Sequence, residues 1–442
     1  MAMAGPESGE KMDANPPTPV GFFDPALKDV RRQAVFKWAK TVLMLCVFIL
    51  AILSLYWAVQ FTVDEKLGAL KVWVVDFDNS ENALVGPAVT SLAEQIGASG
   101  QSLGYIVKSP SEFDNDPVSV VQAVYDEHCW AAIIVSANAT TLLRDAISTG
   151  NDSYAPTDAA QFVIIQARDQ TTFSNYITPA FNSFELQLRA SFGPEWVRNL
   201  TSQNTDLQSV PPQAINPAIG FSTLDLRPFA PAAATPSVTI GLIYLIIIAF
   251  FNFPFTMPVH GLFLKGTYPL KIPQWLIWRA CSSIVAYFFL SLFYSFVSLA
   301  FQIPFSNDPA PDTVSADNPN AYGKGSFVVF WMLNWVGMAA LGFPCENMAM
   351  VLGFPYSSMF LIFWVITNVS SGFYALDLAP GFFQWGRAWP LHRIVEALRT
   401  ILFGTHSRIG LDFGILFTWV AVSLAFFPVA SFIMRRKMQR GL

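Results

Sequence analysis

"KVWVVDFDNSENALVGP" runs from Lys71 to Pro87. Four apolar residues, Val72 to Val75, lead into Asp76 and Asp78, with Ser80 just behind. A strand that ends on Asp-x-Asp-x-Ser can present a nucleophilic aspartate and a magnesium ligand to a phosphate. That chemistry also needs a lysine against the phosphate and a later acidic cluster for the metal. "EFDNDP", Glu112 to Pro117, is acidic but does not end an apolar strand. The plainer reading is a strand end. Asp76 and Asp78 turn the chain, and Asn79, Ser80 or Asn82 caps the helix that follows. On this reading the stretch opens a domain, and the chain is not expected to be an enzyme.

What surrounds the stretch sets the class. The chain has 442 residues, 53% of them hydrophobic and 13% charged. Soluble domains average about 25% charged residues. The deficit comes from six windows of about 20 residues, the length that crosses ~30 Å of hydrocarbon. They are Thr41–Phe61, Pro236–Met257, Ala280–Phe301, Ser326–Cys345, Tyr356–Leu376 and Phe413–Met434. The runs are continuous rather than alternating, which argues for helices and against a β-barrel. The expected fold is an α-helical polytopic membrane protein of six spans, with an extracytoplasmic α/β domain inserted between the first and second.

Charge bias orients it. Lys28, Arg31, Arg32, Lys37 and Lys40 precede the first window, and Arg435, Arg436, Lys437 and Arg440 follow the last. The positive-inside rule puts both termini in the cytoplasm. The segment 258–279, with Lys265, Lys271 and Arg279, reads as an inner loop along the membrane surface. Pro254 and Pro258 are expected to break or kink the second span. The loop 302–325, with Asp308, Asp312 and Asp317 against Lys324, reads as an outer one.

The expected organisation is a disordered cytoplasmic segment 1–40, a first span at 41–61, the α/β domain at 62–235, a five-span bundle at 236–434 and a basic tail at 435–442. The first window sits too far into the chain, and is too long, for a cleaved signal peptide, so it reads as an anchor. Within 62–235 strand-like "VWVVDF", "YIVK", "WAAIIVSA" and "FVIIQAR" alternate with helical pieces, which predicts a mostly parallel sheet. The proline- and alanine-rich stretch 208–236 reads as a linker back to the membrane. Sequons at Asn138, Asn151 and Asn199 make these the expected glycosylation sites; a fourth, at Asn368, falls inside a span.

Polar groups inside spans are costly and mark functional candidates. Asn252, Asn334, Asn368 and Glu346 are the candidates for a transport path, although interhelical hydrogen bonds would explain the asparagines as well. "WPLHRIVEALRTILFG" reads as an amphipathic interfacial helix from Pro390 to Gly404. Leu391, Ile394, Val395, Leu398 and Leu402 share its apolar face, and Arg393, Glu396 and Arg399 step along a polar one. No GxxxxGK[ST] loop and no His/Cys cluster occur. No cofactor is therefore expected. A net charge of −5 gives no reason to expect a nucleic acid. The partners expected are the bilayer and a small molecule. A homo-oligomer stays open.

The layout, together with "VWVVDFDNSENALVGPAVTSLAEQ", "HCWAAIIVSANATTLL", "QARDQTTFSNYITP" and "WPLHRIVEALRTILFG", resembles the membrane subunit of ABC-type-2 exporters. It is most similar to the fungal nitrosoguanidine-resistance membrane protein family. The resemblance covers residues 35–435 and implies an export permease giving resistance to a toxic small molecule or secondary metabolite. It brings no catalytic or binding residue with it. It departs from ABC exporters in carrying no nucleotide-binding domain, which leaves the energy source unassigned. The alternative is a non-transporting scaffold or regulator whose outer domain binds a partner or affects lipid organisation. The expected location is the plasma membrane or an endomembrane.

Overall fold

The computed structural model describes residues 19–203, 207–265, 270–305 and 322–440. Asp308, Asp312 and Asp317, residues 1–18 and residues 441–442 lie outside the described residues, as does the Lys265 side chain. The chain divides into two compact units, Met1–Ser54 and Leu55–Leu442.

In the first unit the Asp24 side chain accepts from Ala26 N at 2.8 Å and Pro25 follows it, a strong start signal. Helix α1 (Lys28–Ala58) begins at once. The expected disorder is therefore corrected for residues 28–40. Lys28, Arg31, Arg32, Lys37 and Lys40 lie on a helix, because the residues between them (Val30, Ala34, Val35, Phe36, Trp38) are compatible with one. No residue of α1 is buried. From Thr41 onward α1 carries no charge and satisfies its own backbone, which suits lipid.

The α/β domain opens the second unit. Its strands are β1 (Lys71–Asp76), β2 (Gly104–Lys108), β3 (Ala131–Val135), β4 (Ala160–Ile164) and β5 (Phe221–Asp225), in the order β2-β1-β3-β4-β5. Pairing is parallel except between β3 and β4. Helices α2 (Val85–Ala98), α3 (Pro117–Tyr125), α4 (Ala139–Thr149) and α5 (Thr178–Ser202) cover the two faces. Alternate residues divide between them. Val72, Val74, Ala131 and Ile133 pack with α2, α4 and α5, while Val75, Ala132 and Ile134 pack with α3. The sheet is mostly parallel, as expected. The stretch read as a linker is not one: it supplies β5. "FSTLD" is short and mixed in polarity, and Phe221 earns its place by stacking on Phe162 at 4.4 Å, a contact no local pattern announces.

The bundle is built on α6 (Ile243–Lys265), α7 (Ile272–Ala300), α8 (Ser326–Leu352), α9 (Tyr356–Gly372), α10 (Pro390–Phe403) and α11 (Ile409–Gln439). Helix α8 is central and packs against all the others. Gly342 lets it approach: a Cβ there would lie 2.3 Å from the Tyr287 hydroxyl oxygen and 2.9 Å from Ala249 Cβ.

Among the described residues five helices are long and apolar enough to cross a membrane: Pro25–Ala58, Ala232–Phe263, Ile272–Ala300, Gly323–Leu352 and Ile409–Lys437. The remaining expected window folds as α9, of 17 residues. The protein is thus a helical, multi-pass membrane protein. Two further expectations are corrected. The expected break at Pro254 or Pro258 does not occur: helix α6 runs on through both, and the Thr256 hydroxyl donates to Asn252 O at 2.7 Å. Arg279 is not on an inner loop but inside α7, fully buried.

Candidate functional site

Helix α10 organises the junction between the α/β domain and the bundle. Its start is held from α9, where Asn368 Oδ1 accepts from Leu391 N at 3.1 Å. Its end is an αL glycine, Gly404, with φ 69°. The Gly404 carbonyl accepts from Arg227 Nε at 2.9 Å and from the Tyr125 hydroxyl at 3.0 Å. A cation at this end also complements the helix dipole. Both donors come from the α/β domain.

Leu391, Ile394, Val395, Leu398 and Leu402 are all buried, as their spacing predicts. The polar row is split. Arg393 is 5% exposed, donates to Glu396 at 2.6 Å and to Arg387 O at 2.5 Å, and reaches buried Asp412 at 3.3 Å. It is a tie rather than part of an open face. Glu396 and Arg399 instead face a chamber between the two halves.

The chamber has room for about 100 Å³ of water-sized groups. The α/β domain gives Glu127 and Trp130 from the turn before β3, and Arg168 and Asp169 from the turn after β4. The bundle side gives His392, Glu396 and Arg399 from α10, with His406 and Arg408 beyond it. Arg168 stacks on Trp130 with 3.9 Å to the ring centroid and donates to Cys129 O at 2.7 Å. Arg408 lies 3.1 Å from Glu127 and 4.0 Å from Glu396. His406 lies 3.6 Å from Asp126. Burial alone would raise the Glu396 carboxyl, but His392, Arg393 and Arg408 outweigh it and hold it down to about 2. The walls therefore keep fixed charges of both signs in a small space.

The other sequence candidates lie elsewhere. Asn334 Nδ2 donates to Ser295 at 3.0 Å, Asn252 O accepts from the Thr256 hydroxyl at 2.7 Å, and Asn368 caps α10. Glu346 is 2% exposed, pairs with Arg279 and accepts from Ser283 at 3.1 Å. None of the four lines the chamber. Asn138, Asn151 and Asn199 are exposed on the α/β domain.

At the end of β1, none of Asn79, Ser80 and Asn82 caps α2. The Thr140 hydroxyl does so from α4, accepting from Leu84 N at 2.8 Å and Val85 N at 3.0 Å. It donates to Asp78 Oδ2 at 2.5 Å, and Asp78 also takes Thr140 N and the Ser80 hydroxyl. Thr140 thus joins the two helices, and Asp78 holds its hydroxyl in place. Burial, with the Asp78 charge adding, raises the Asp76 carboxyl above its usual range.

Two features escaped sequence reading. Arg279, Ser283, Tyr287, Ser291, Ser295 and Ser298 form a buried stripe down α7, legible as spacing of four and then three. The chamber residues Glu127, Arg168, Asp169 and Arg408 sit at element ends far apart in sequence. The nearest signal is the charge clustered in "DEH" after α3 and "ARD" after β4.

A family model described as "Protein of unknown function (DUF3533)" matches residues 41–425. An uncharacterized endoplasmic reticulum membrane protein of Saccharomyces cerevisiae is 27% identical over 470 residues, covering 98% of this chain and 87% of the relative. No solved structure matches.

Proposed function

The chain belongs to the family described as "Protein of unknown function (DUF3533)", and from that premise we propose that it is a permease-like membrane protein that exports, or gives resistance to, a toxic small molecule. The observation that carries the reading is the charged chamber where the α/β domain meets the bundle. It is a place to hold a polar ligand at the end of the spans. We further propose six spans, with the α/β domain on the non-cytoplasmic side and both termini in the cytoplasm. The basic flanks of the first and last spans support this. So does α9, whose 17 residues reach the lower limit of a crossing helix. The yeast relative, an endoplasmic reticulum membrane protein, supports that membrane as the location.

The test is a deletion strain. It should gain sensitivity to at least one toxic compound, or shift a metabolite from medium to cells. A full-length copy should restore the difference, and Arg399→Gln should not. No change in any compound's sensitivity or distribution sinks the reading.

A second reading is favoured by one observation: Asn334, Asn368 and Glu346 bond other groups of the bundle (Ser295, Leu391 N and Arg279) and none of them lines the chamber. This is the non-transporting scaffold or regulator. Purified protein in liposomes separates the two, since a scaffold moves no solute across. Neither reading gives Asp76 a reaction, so Asp76→Asn should leave the deletion phenotype fully complemented.

A further inference from the structure

The carboxylates of the chamber wall are engaged. Glu127 has Arg408 at 3.1 Å, Glu396 has Arg393 at 2.6 Å, and Asp377 has Arg387 at 3.0 Å. Asp169 Oδ1 accepts from Thr172 N at 3.0 Å and caps the turn after β4. The guanidinium of Arg399 differs. Its side chain is 15% exposed, its nearest acid is Asp169 at 3.6 Å, and it makes no hydrogen bond among the described residues. Five N–H donors in a fixed fork, largely withdrawn from bulk water, have only this one long ion pair, to Asp169 Oδ2, and leave donors for a further acceptor.

We propose that Arg399 and the chamber form an oxyanion site, taking the phosphate- or carboxylate-type head of a ligand. The inference rests on reading the chamber as a ligand site and deepens it by naming the chemistry. Guanidinium forks match such oxyanions in two parallel hydrogen bonds. Room of about 100 Å³ admits a small polyatomic group. It falls well short of the ~300 Å³ that a drug-sized pocket starts from. Only the charged head therefore enters, and the rest of the ligand stays outside. The head has two sources, a lipid headgroup at the membrane interface or a soluble molecule.

The experiment uses the full chain in phosphatidylcholine nanodiscs. One arm adds inorganic phosphate. The other replaces part of the lipid with phosphatidic acid. The readouts are the thermal midpoint and the tryptophan fluorescence, to which Trp130 in the chamber wall contributes. A bound ligand raises the midpoint. Wild-type protein should respond in at least one arm, and the responding arm identifies the source. Arg399→Gln should need about tenfold more probe for the same response, the cost of a charge-assisted pair of bonds. Arg198→Gln, on the exposed side of α5, should respond as wild type.

No wild-type response in either arm overturns the proposal, and so does an unchanged response in Arg399→Gln. If that variant aggregates, Arg399→Lys gives the same reading: a several-fold weaker response supports the site, an unchanged one overturns it. Phosphate binding in a protein whose deletion leaves export normal keeps the inference and removes the transport reading. Lost export with no probe bound does the reverse.

Discussion

At the scale of single residues, charge placement decides what this protein can tolerate. Arg279 and Glu346 face each other in the bundle, with Phe253, Trp275 and Phe427 around the guanidinium at 5.4, 4.9 and 5.2 Å. Removing one partner of a buried pair strands the other charge, a loss of about 3–5 kcal/mol, whereas replacing both with apolar groups can be neutral. Glu346→Leu should therefore sharply lower the thermal midpoint in detergent. The double variant Arg279→Met/Glu346→Leu should recover most of the loss. Glu396 makes a second expectation. Its folded carboxyl lies at about 2 against an ordinary 4.5, so its contribution is complete above pH 4.5. It fades as pH falls from there to about 2, by about 3 kcal/mol at most. Midpoints measured across this window should fall more steeply for wild type than for Glu396→Gln.

At the scale of elements, the β1 end shows how a motif can be read correctly in kind and wrongly in detail. The aspartates do turn the chain, but the cap on α2 comes from Thr140, on another helix and 55 residues from Val85 in sequence. Thr140→Val removes the acceptor for two backbone N–H groups and the donor to Asp78. It should cost about 2–3 kcal/mol, while Thr140→Ser should cost less than half of that. Chemical denaturation followed by the far-ultraviolet signal would separate them. A loss in Thr140→Ser with none in Thr140→Val would mean that the threonine methyl, not the hydroxyl, matters. Helix α10 behaves in the opposite way. Its apolar face, its Pro390 start and its Gly404 end were all legible, since each depends only on local spacing and backbone preference. That Arg393 would be buried while Glu396 and Arg399 face a chamber was not, because it depends on what packs against each side.

At the scale of the whole molecule, topology gives the last expectation. If the α/β domain lies outside the cytoplasm, as proposed, protein expressed in a eukaryotic membrane should lose apparent mass on endoglycosidase treatment. The shift should vanish when Asn138, Asn151 and Asn199 are all changed to Gln. A shift that persists, or none in the wild type, would reject this placement of the domain or of its sites. The membrane class, the helical bundle and an α/β domain with a mostly parallel sheet followed from the sequence alone. They rest on hydropathy and period, which every residue in a window reports. The tertiary structure alone decided that "FSTLD" is a strand, that Arg279 lies inside a helix beside Glu346, and that a charged chamber joins the domain to the bundle. In each case the stabilising partner is distant in the chain, so no local pattern could carry the information.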